Sequence, residues 1–290
     1  MSDVIVIGGG CTGTGVARDL SLRGLSVTLI ERGDLAAGTT GRCHGVLHSG
    51  ARYAVTDPAS AQECVRESAV LKSILSPIIE DTGGIFVAIS DDDHAGNFLK
   101  GCALCGIKAD ELSLREALER EPSLNHDISN AVLTPDASCD TFRATLATAL
   151  DAVRHGAEIK PYTAVEGVIA EESSVVGVRV NDGTRVSELR ADAVVNATGP
   201  WAKSLSPELG CSLVKGSHVV VGERIVQGIV HHLRPPAEGD ILVPLGGSTI
   251  LGTTSVEVAT PVHIVTEEEV RRIVGECARL IPNVKNSRLL

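Results

Sequence analysis

The chain opens on an apolar, β-branched run, Val4 to Ile7, that breaks into Gly8-Gly9-Gly10-Cys11-Thr12-Gly13-Thr14-Gly15. An amphipathic stretch from Val16 to Leu25 follows. A second apolar run, Val27 to Ile30, ends on Glu31. This pattern predicts strand, glycine turn, helix, strand and acid within one βαβ unit. Residues 33–53 are rich in glycine and lack periodicity, which predicts a long functional loop. Asp57 reads as an N-cap with Pro58 at the first helical position, opening a helix to about Leu75. Gly84 to Ser90 reads as a strand, Asp91 to Asp93 as a solvated turn, and His94 to Cys105 as a helix. Ser113 to Glu119 is a short helix with a capping box of Ser113 and Glu116. Asp140 opens a helix to about His155, closed by Gly156. Glu158 to Lys160 and Thr163 to Ala170 alternate like strands. Val175 to Val180 and Val186 to Leu189 flank Asn181-Asp182-Gly183, a hairpin turn. Ala193 to Ala197 reads as a separate short buried strand. Beyond Gly210, the segments His218–Val221, Gly228–His232, Ile241–Pro244 and Thr249–Leu251 fit an antiparallel sheet. Thr266 caps a last helix, Glu267 to Leu280.

The opening βαβ unit carries chemistry. Gly8 permits a tight turn, Gly10 lets backbone N–H groups approach a pyrophosphate, and Gly13 lets the helix pack close to the strand. The helix N-terminus then presents its positive dipole end to phosphates. Glu31, at the end of the second strand, is placed to accept hydrogen bonds from a ribose diol. The same βαβ character returns around residues 140–205, with material of a different kind between. That implies a nucleotide-binding domain of residues 1–55 and 139–211, interrupted by a second domain of residues 56–138 and 212–290.

Composition narrows the classes. At 290 residues and 43% hydrophobic, the chain has a real core, and 2% aromatic content means that Val, Ile, Leu and Ala build it. No run approaches the roughly 18 to 20 apolar residues of a membrane span. The first strand begins so early that no targeting peptide is expected before it, which makes the cytoplasm the expected location. A net charge of −11 argues against nucleic acid as a partner. An anionic small substrate would need a local Arg/Lys cluster inside this acidic shell. The eight cysteines are scattered. Cys102-Ala-Leu-Cys105 is the one CxxC, and no second Cys/His pair stands at ligand spacing, so no metal site is expected.

Several separate motifs together resemble a known family. Gly8-Gly9-Gly10, Gly13, Gly15, Ala17-Arg18-Asp19, Arg23-Gly24 and Glu31 resemble the FAD-dependent glycerol-3-phosphate dehydrogenases. So do Leu47-His48-Ser49-Gly50-Ala51-Arg52-Tyr53, Val194-Val195-Asn196-Ala197-Thr198-Gly199-Pro200-Trp201, Lys215-Gly216-Ser217-His218 and Gly252-Thr253-Thr254. The stretch Gly45 to Asp57 is most similar to the large catalytic subunit of the anaerobic, three-subunit form. The wider group is the D-amino-acid-oxidase-like flavoproteins. The fold this implies is α/β: a Rossmann-like FAD-binding domain of the glutathione-reductase type, interrupted by an α+β substrate domain with an antiparallel sheet. The family's chain continues well past the last residue here, with a further arginine motif and a late Gly-Gly-Lys segment, so a truncated chain is expected.

The resemblance implies FAD as cofactor and oxidation of sn-glycerol 3-phosphate to dihydroxyacetone phosphate. Electrons would pass to a quinone or to electron-transfer subunits, with a peripheral place on the inner face of the cell membrane, in a homo- or hetero-oligomer. The cofactor-binding residues it implies are Gly8, Gly10, Cys11, Thr12, Gly13, Glu31, Arg32, Thr39, Thr40, Leu47, Val165, Ala197, Gly199 and Trp201. His48 is the first choice for accepting the hydroxyl proton, with His44 the runner-up and His218 structural or at the pocket edge. Arg52, with Tyr53 and Lys215, is assigned to the substrate and its phosphate. An ordinary histidine base would make activity rise through about pH 6 to 7. Alternatives remain open: an oxidase or an amine or 2-hydroxy-acid oxidoreductase of the same fold, or an inactive flavin-binding fragment. A nicotinamide-dependent enzyme would leave the loop Thr39 to Tyr53 unexplained.

Overall fold

The computed structural model describes residues 2–89, 94–261 and 264–290; the turn expected at Asp91 to Asp93 lies outside these. The chain forms two compact units, one of residues 1–43 and 141–213, the other of residues 44–140 and 214–290. The loop 44–55, expected in the nucleotide-binding domain, belongs to the second unit. The reason is pairing: Val46 and Leu47 form a short strand against Ser138 and Ala137.

In the first unit six strands run in the order Ala164–Glu171, Ser174–Asn181, Val186–Asn196, Ser2–Ile7, Val27–Ile30, Glu158–Lys160. The strand Ser2–Ile7 is parallel to both neighbours. Its period of two sorts its side chains. Val4 and Val6 pack with Ala17, Val27, Leu29 and Ala152 on one face, and Ile5 and Ile7 with Ile30, Val178 and Val180 on the other. The helices Cys11–Leu22 and Thr141–Arg154 are tied by Arg18 and Asp151 at 2.6 Å. The first helix stops at Leu22 rather than Leu25, because Gly24 takes a left-handed φ of 84°. The segments expected as two strands, Val186–Leu189 and Ala193–Ala197, are one continuous strand, Val186–Asn196. Its first half is antiparallel to Ser174–Asn181 and its second half parallel to Ser2–Ile7. The polar Arg190 and Asp192 at the change of partner interrupt the apolar alternation, which is why the sequence reads as two pieces.

In the second unit seven strands run in the order His218–Val221, Ser248–Gly252, Ile241–Leu245, Ile229–His232, Gly84–Ala88, Asn130–Thr134, Asp110–Leu112. The sheet is antiparallel except that Ile229–His232 lies parallel to Gly84–Ala88. The helix Pro58–Ile74 starts as expected, with the Asp57 side chain accepting from Ser60 N. Leu114–Arg120 carries the expected capping box. No helix among the described residues is long and apolar enough to cross a membrane.

The last helix, Glu267–Leu280, buries Ile273, Cys277 and Leu280 against Val219, Val221, Leu242 and Leu251. Its anchor is Glu269, 4% exposed. One carboxylate oxygen completes a capping box with Thr266 and meets Lys215 Nζ at 2.8 Å. The other accepts from Ser217 Oγ at 2.9 Å and Thr254 Oγ1 at 3.2 Å. The motifs Lys215-Gly-Ser-His and Gly252-Thr-Thr therefore converge on one acid. Burial pushes this carboxyl up, but the hydrogen bonds from Lys215, Thr266 and Ser217 outweigh it and hold it at about 2. Glu269→Ala would strand a mostly buried Lys215, and breaking a buried pair costs about 3 to 5 kcal/mol. Thermal unfolding should then fall by about 6 °C or more; an unchanged melting temperature would show that the pair is not structural.

Candidate functional site: a glycine cradle and a buried histidine cluster

The glycine turn in the first unit is built on backbone contact. A Cβ on Gly13 would lie 1.8 Å from Gly8 O, and one on Gly8 would lie 2.4 Å from Ala197 O. Gly8 also has a φ of 112°. Only glycine fits at either position. Gly10 is the N-cap of the helix, without a side chain, and a Cβ there would stand 3.0 Å from Thr40 Oγ1. Cys11 N donates to that same hydroxyl at 3.1 Å. Cys11 and Thr12 lie exposed on the first turn, where amide dipoles favour an anion. Thr39 and Thr40 open a short 3-10 turn that Arg42 braces through the carbonyls of Ala37 and Gly38.

Glu31 accepts from Gly9 N at 2.7 Å and from Gly33 N at 2.8 Å. Its first task is thus to hold the glycine loop, and each oxygen keeps acceptor capacity for a hydroxyl. Arg32 lies over the Trp201 ring, 4.1 Å from its centroid. Gly38 also passes close to that indole, where a Cβ would come within 3.4 Å. Gly199 opens the turn to Trp201 with a φ of 58°, and Val165 sits on the strand that leaves Glu31's neighbour Thr163. The structure thus brings most of the expected first-unit residues together around one helix start. A bare helix N-terminus, a turn that admits no Cβ and an acid at the second strand fit a dinucleotide pyrophosphate and ribose. Leu47 lies in the second unit, on the strand Val46–Leu47.

The second unit holds a histidine cluster. His48 lies with its ring centroid 5.7 Å from His44, 5.5 Å from Tyr53 and 6.2 Å from His231. Its Nδ1 is 4.0 Å from Asp136 Oδ1. His231, wholly buried, stacks on Phe86 at 4.1 Å, with its Nε2 3.8 Å from Asp136 Oδ2. Asp136 is itself held by Ser49 N at 2.7 Å and Thr134 Oγ1 at 2.5 Å. Opposite charges at 4 Å attract by about 4 kcal/mol at an effective dielectric constant of ~20. Burial nevertheless wins: it lowers His48 below the ordinary histidine range, with Asp136 opposing and Arg52 reinforcing. The expectation of an ionisation near pH 6 to 7 is corrected accordingly. His44, whose Nδ1 accepts from Val46 N at 3.1 Å, is pushed down by burial to about 3.

Arg52 stands beside this cluster, 16% exposed, its Nη2 3.4 Å from Asp240 Oδ2. Asp240 is buried and also takes Arg234 at 2.6 Å and Ala237 N. Burial pushes its carboxyl up against these hydrogen bonds. One guanidinium edge of Arg52 is thus fixed, leaving further N–H donors for an anion. Lys215 is tied to the last helix: its ammonium donates to Glu269 and to the Ile264 carbonyl, which leaves one of its three N–H donors for a substrate. Asp136, Asp240 and His231 were not singled out in the sequence, since nothing local marks them. Among the described residues, no group of His, Cys, Asp and Glu is arranged to hold a metal ion.

A family model, DAO (FAD dependent oxidoreductase), matches residues 3–289. An anaerobic glycerol-3-phosphate dehydrogenase subunit from Haloferax volcanii is 44% identical, over 99% of this chain and 52% of that one. The corresponding anaerobic glycerol-3-phosphate dehydrogenase subunit from Escherichia coli is 41% identical, over 100% of this chain and 55% of that one. The chain therefore spans about half the length of the curated relatives it matches. Among solved structures, the glycerol-3-phosphate dehydrogenase from Bacillus halodurans complexed with FAD is 25% identical with a TM-score of 0.72, covering 98% of this chain and 53% of that one.

Two outcomes follow from this geometry. Gly13→Ala should prevent the helix from docking and lose both stability and flavin, whereas Gly10→Ala, facing only a threonine hydroxyl, should still fold. Equal stability of the two variants in urea would contradict the close approach. Four histidines are lowered by burial: His44 to about 3, His232 to about 4, His48, and His231 well below the ordinary value. The folded chain refuses protons that the unfolded chain takes up below about pH 6.5. Stability is therefore full above that pH and drains as pH falls. His44 and His232 alone give a slope of roughly 2 to 3 kcal/mol per pH unit near pH 5. A urea midpoint unchanged between pH 7 and pH 5 would rule this out.

Proposed function

The chain belongs to the DAO family of FAD dependent oxidoreductases, and from that premise we propose that it oxidises the secondary alcohol of sn-glycerol 3-phosphate to dihydroxyacetone phosphate, with electrons passing on to a quinone or to a further protein of the same complex. The observation that carries this reading is the histidine cluster of the second unit. It sets a neutral imidazole, His48, and a tethered guanidinium, Arg52, four residues apart in one loop.

FAD fits the residues present. Gly8, Gly10 and Gly13 leave the backbone bare, Thr12 offers an amide of the first helical turn beside the Thr40 hydroxyl that holds Cys11 N, and Glu31 offers acceptors to the ribose. When bound, FAD would supply the two-electron oxidising capacity that the alcohol-to-ketone conversion needs. Everything else falls to the protein. Arg52 takes the phosphate by charge-assisted hydrogen bonds while Asp240 keeps the guanidinium from swinging away. His48, neutral because it is buried, takes the proton of the C2 hydroxyl. The Asp136 carboxylate then stands within ion-pair reach of the imidazolium. Tyr53 and His44 pack edge-on against the His48 ring and limit its rotation.

Losing the phosphate contact costs about 1.5 to 3 kcal/mol. Arg52→Ala should therefore raise KM on the order of tenfold or more, and glycerol should be a far poorer substrate than its phosphate. Equal turnover of the two would remove the phosphate role. His48→Ala should lower kcat by roughly a hundredfold while flavin stays bound. The acid limb of kcat/KM, which reports the free enzyme, should lie below the ~6.5 of an ordinary histidine. Peroxide formed in air at the rate of substrate loss would instead identify an oxidase of the same fold.

A further inference from the structure

Asp136 has a contact pattern that ion pairing with a protonated His48 does not by itself explain. It is 1% exposed, and both oxygens are already positioned, one by Ser49 N and the other by the Thr134 hydroxyl. Each still has an acceptor position open. Toward those positions face two imidazoles, His48 through Nδ1 at 4.0 Å and His231 through Nε2 at 3.8 Å. His48 Nδ1 and both nitrogens of His231 are buried without a hydrogen-bond partner in the described structure. Buried polar nitrogens are rarely left unpaired without a reason. Here a single carboxylate lies less than about an ångström beyond hydrogen-bond range of two of them.

We propose that Asp136 is the positioning residue of His48: it fixes the tautomer with the proton on Nδ1, leaves the Nε2 lone pair to accept the substrate hydroxyl proton, and holds the imidazolium that results. The inference rests on the reading of His48 as proton acceptor. Three features support it. Ser49, the next residue in the chain, is the one whose N–H grips Asp136, so the carboxylate and the histidine are registered to each other by one backbone step. His231 is wholly buried and stacked on Phe86, so it cannot meet a substrate. It walls off the far side of Asp136 and keeps the carboxylate from water. Of the other groups near His48, Arg52 has no acceptor atom, and His44 Nδ1 is already used by Val46 N. No bond is made or broken at Asp136. The proton moves from the substrate oxygen to His48 Nε2, and the carboxylate stays as it was.

The test is 15N NMR of the FAD-loaded protein labelled in histidine, with the His48 signals assigned by their loss in His48→Gln. The expected result is an Nδ1-protonated His48 at pH 7. In Asp136→Asn the amide replaces an acceptor by a donor. The population should then move to the Nε2-protonated form, the His48 titration midpoint should fall, and kcat should drop at least tenfold with KM changed less than threefold. An Nε2-protonated His48 in the unmutated protein overturns the proposal, and that measurement needs no variant to fold. An unchanged tautomer and midpoint in folded Asp136→Asn overturn it equally. If His48→Gln retains full kcat, the proton-acceptor reading itself fails and this inference falls with it. If His48→Gln is inactive while the tautomer is wrong, only the role of Asp136 fails.

Discussion

Three stretches of backbone meet at the carboxyl end of the strand Ser2–Ile7, closer than any side chain permits. Gly13 sits on the carbonyl of Gly8, and Gly8 sits on the carbonyl of Ala197. This contact decides where the first helix starts, and hence where its unpaired amides point. It also explains why the strand Val186–Asn196 must run parallel beside Ser2–Ile7, with Ile7 opposite Asn196. The two strands end level, so the turn at Gly8 to Gly13 and the turn at Ala197 to Trp201 leave the sheet side by side. Ligands of open parallel sheets bind at that end. The cost is conformational: glycine loses more freedom on folding than any other residue. The unit offsets it with two well-packed faces of Val, Ile and Leu.

The second unit is organised instead by buried carboxylates. Asp136, Asp240 and Glu269 are each at most 4% exposed, and each gathers donors from distant parts of the chain. Glu269 joins the motifs at Lys215 and Thr254 to the last helix. Asp240 aligns Arg52 and Arg234. Asp136 collects Ser49, Thr134 and two imidazoles. A chain with 2% aromatic residues has few large rings to fill a core, and in this unit histidine takes part of that place, as the stack of His231 on Phe86 shows. Imidazoles used this way must stay neutral, and burial keeps them so. The same burial that packs the unit therefore also keeps His48 unprotonated and able to accept a proton.

Local signals were legible in the sequence. The βαβ unit, the Asp57 and Ser113 caps, the Gly156 stop and the strands after Gly210 all follow from period, capping chemistry or a glycine. Signals that depend on distant partners were not. The strands Asn130–Thr134 and Asp110–Leu112 are short and lie among polar residues; they exist because Gly84–Ala88 offers an edge for Asn130–Thr134, which in turn pairs with Asp110–Leu112. The boundary after Cys43 depends on Val46 and Leu47 pairing with a segment some ninety residues on. Of the candidate site, the loop that carries His48 and Arg52 was marked by its motif. Asp136 and Asp240 were not, because a buried acid looks in sequence like any surface acid. Lys215 was legible as a basic residue in a motif, but its partner Glu269 lies 54 positions away.

The two groups assigned to the substrate also act on each other. The charge of Arg52 lowers the proton affinity of His48, and Asp136 raises it. In the free protein, burial and Arg52 together prevail, and the imidazole stays neutral. On the proposed reading, a phosphate bound at Arg52 brings up to two negative charges to the guanidinium and cancels its repulsion. Asp136 then acts on His48 with less opposition, and the imidazole becomes a stronger base at the moment a hydroxyl is placed beside it. Glycerol, lacking the phosphate, would leave Arg52 uncompensated and His48 a weaker base. On this proposal, phosphate recognition and proton abstraction would be one electrostatic arrangement, with Asp240 holding the cation that the substrate neutralises and Asp136 holding the cation that the reaction creates.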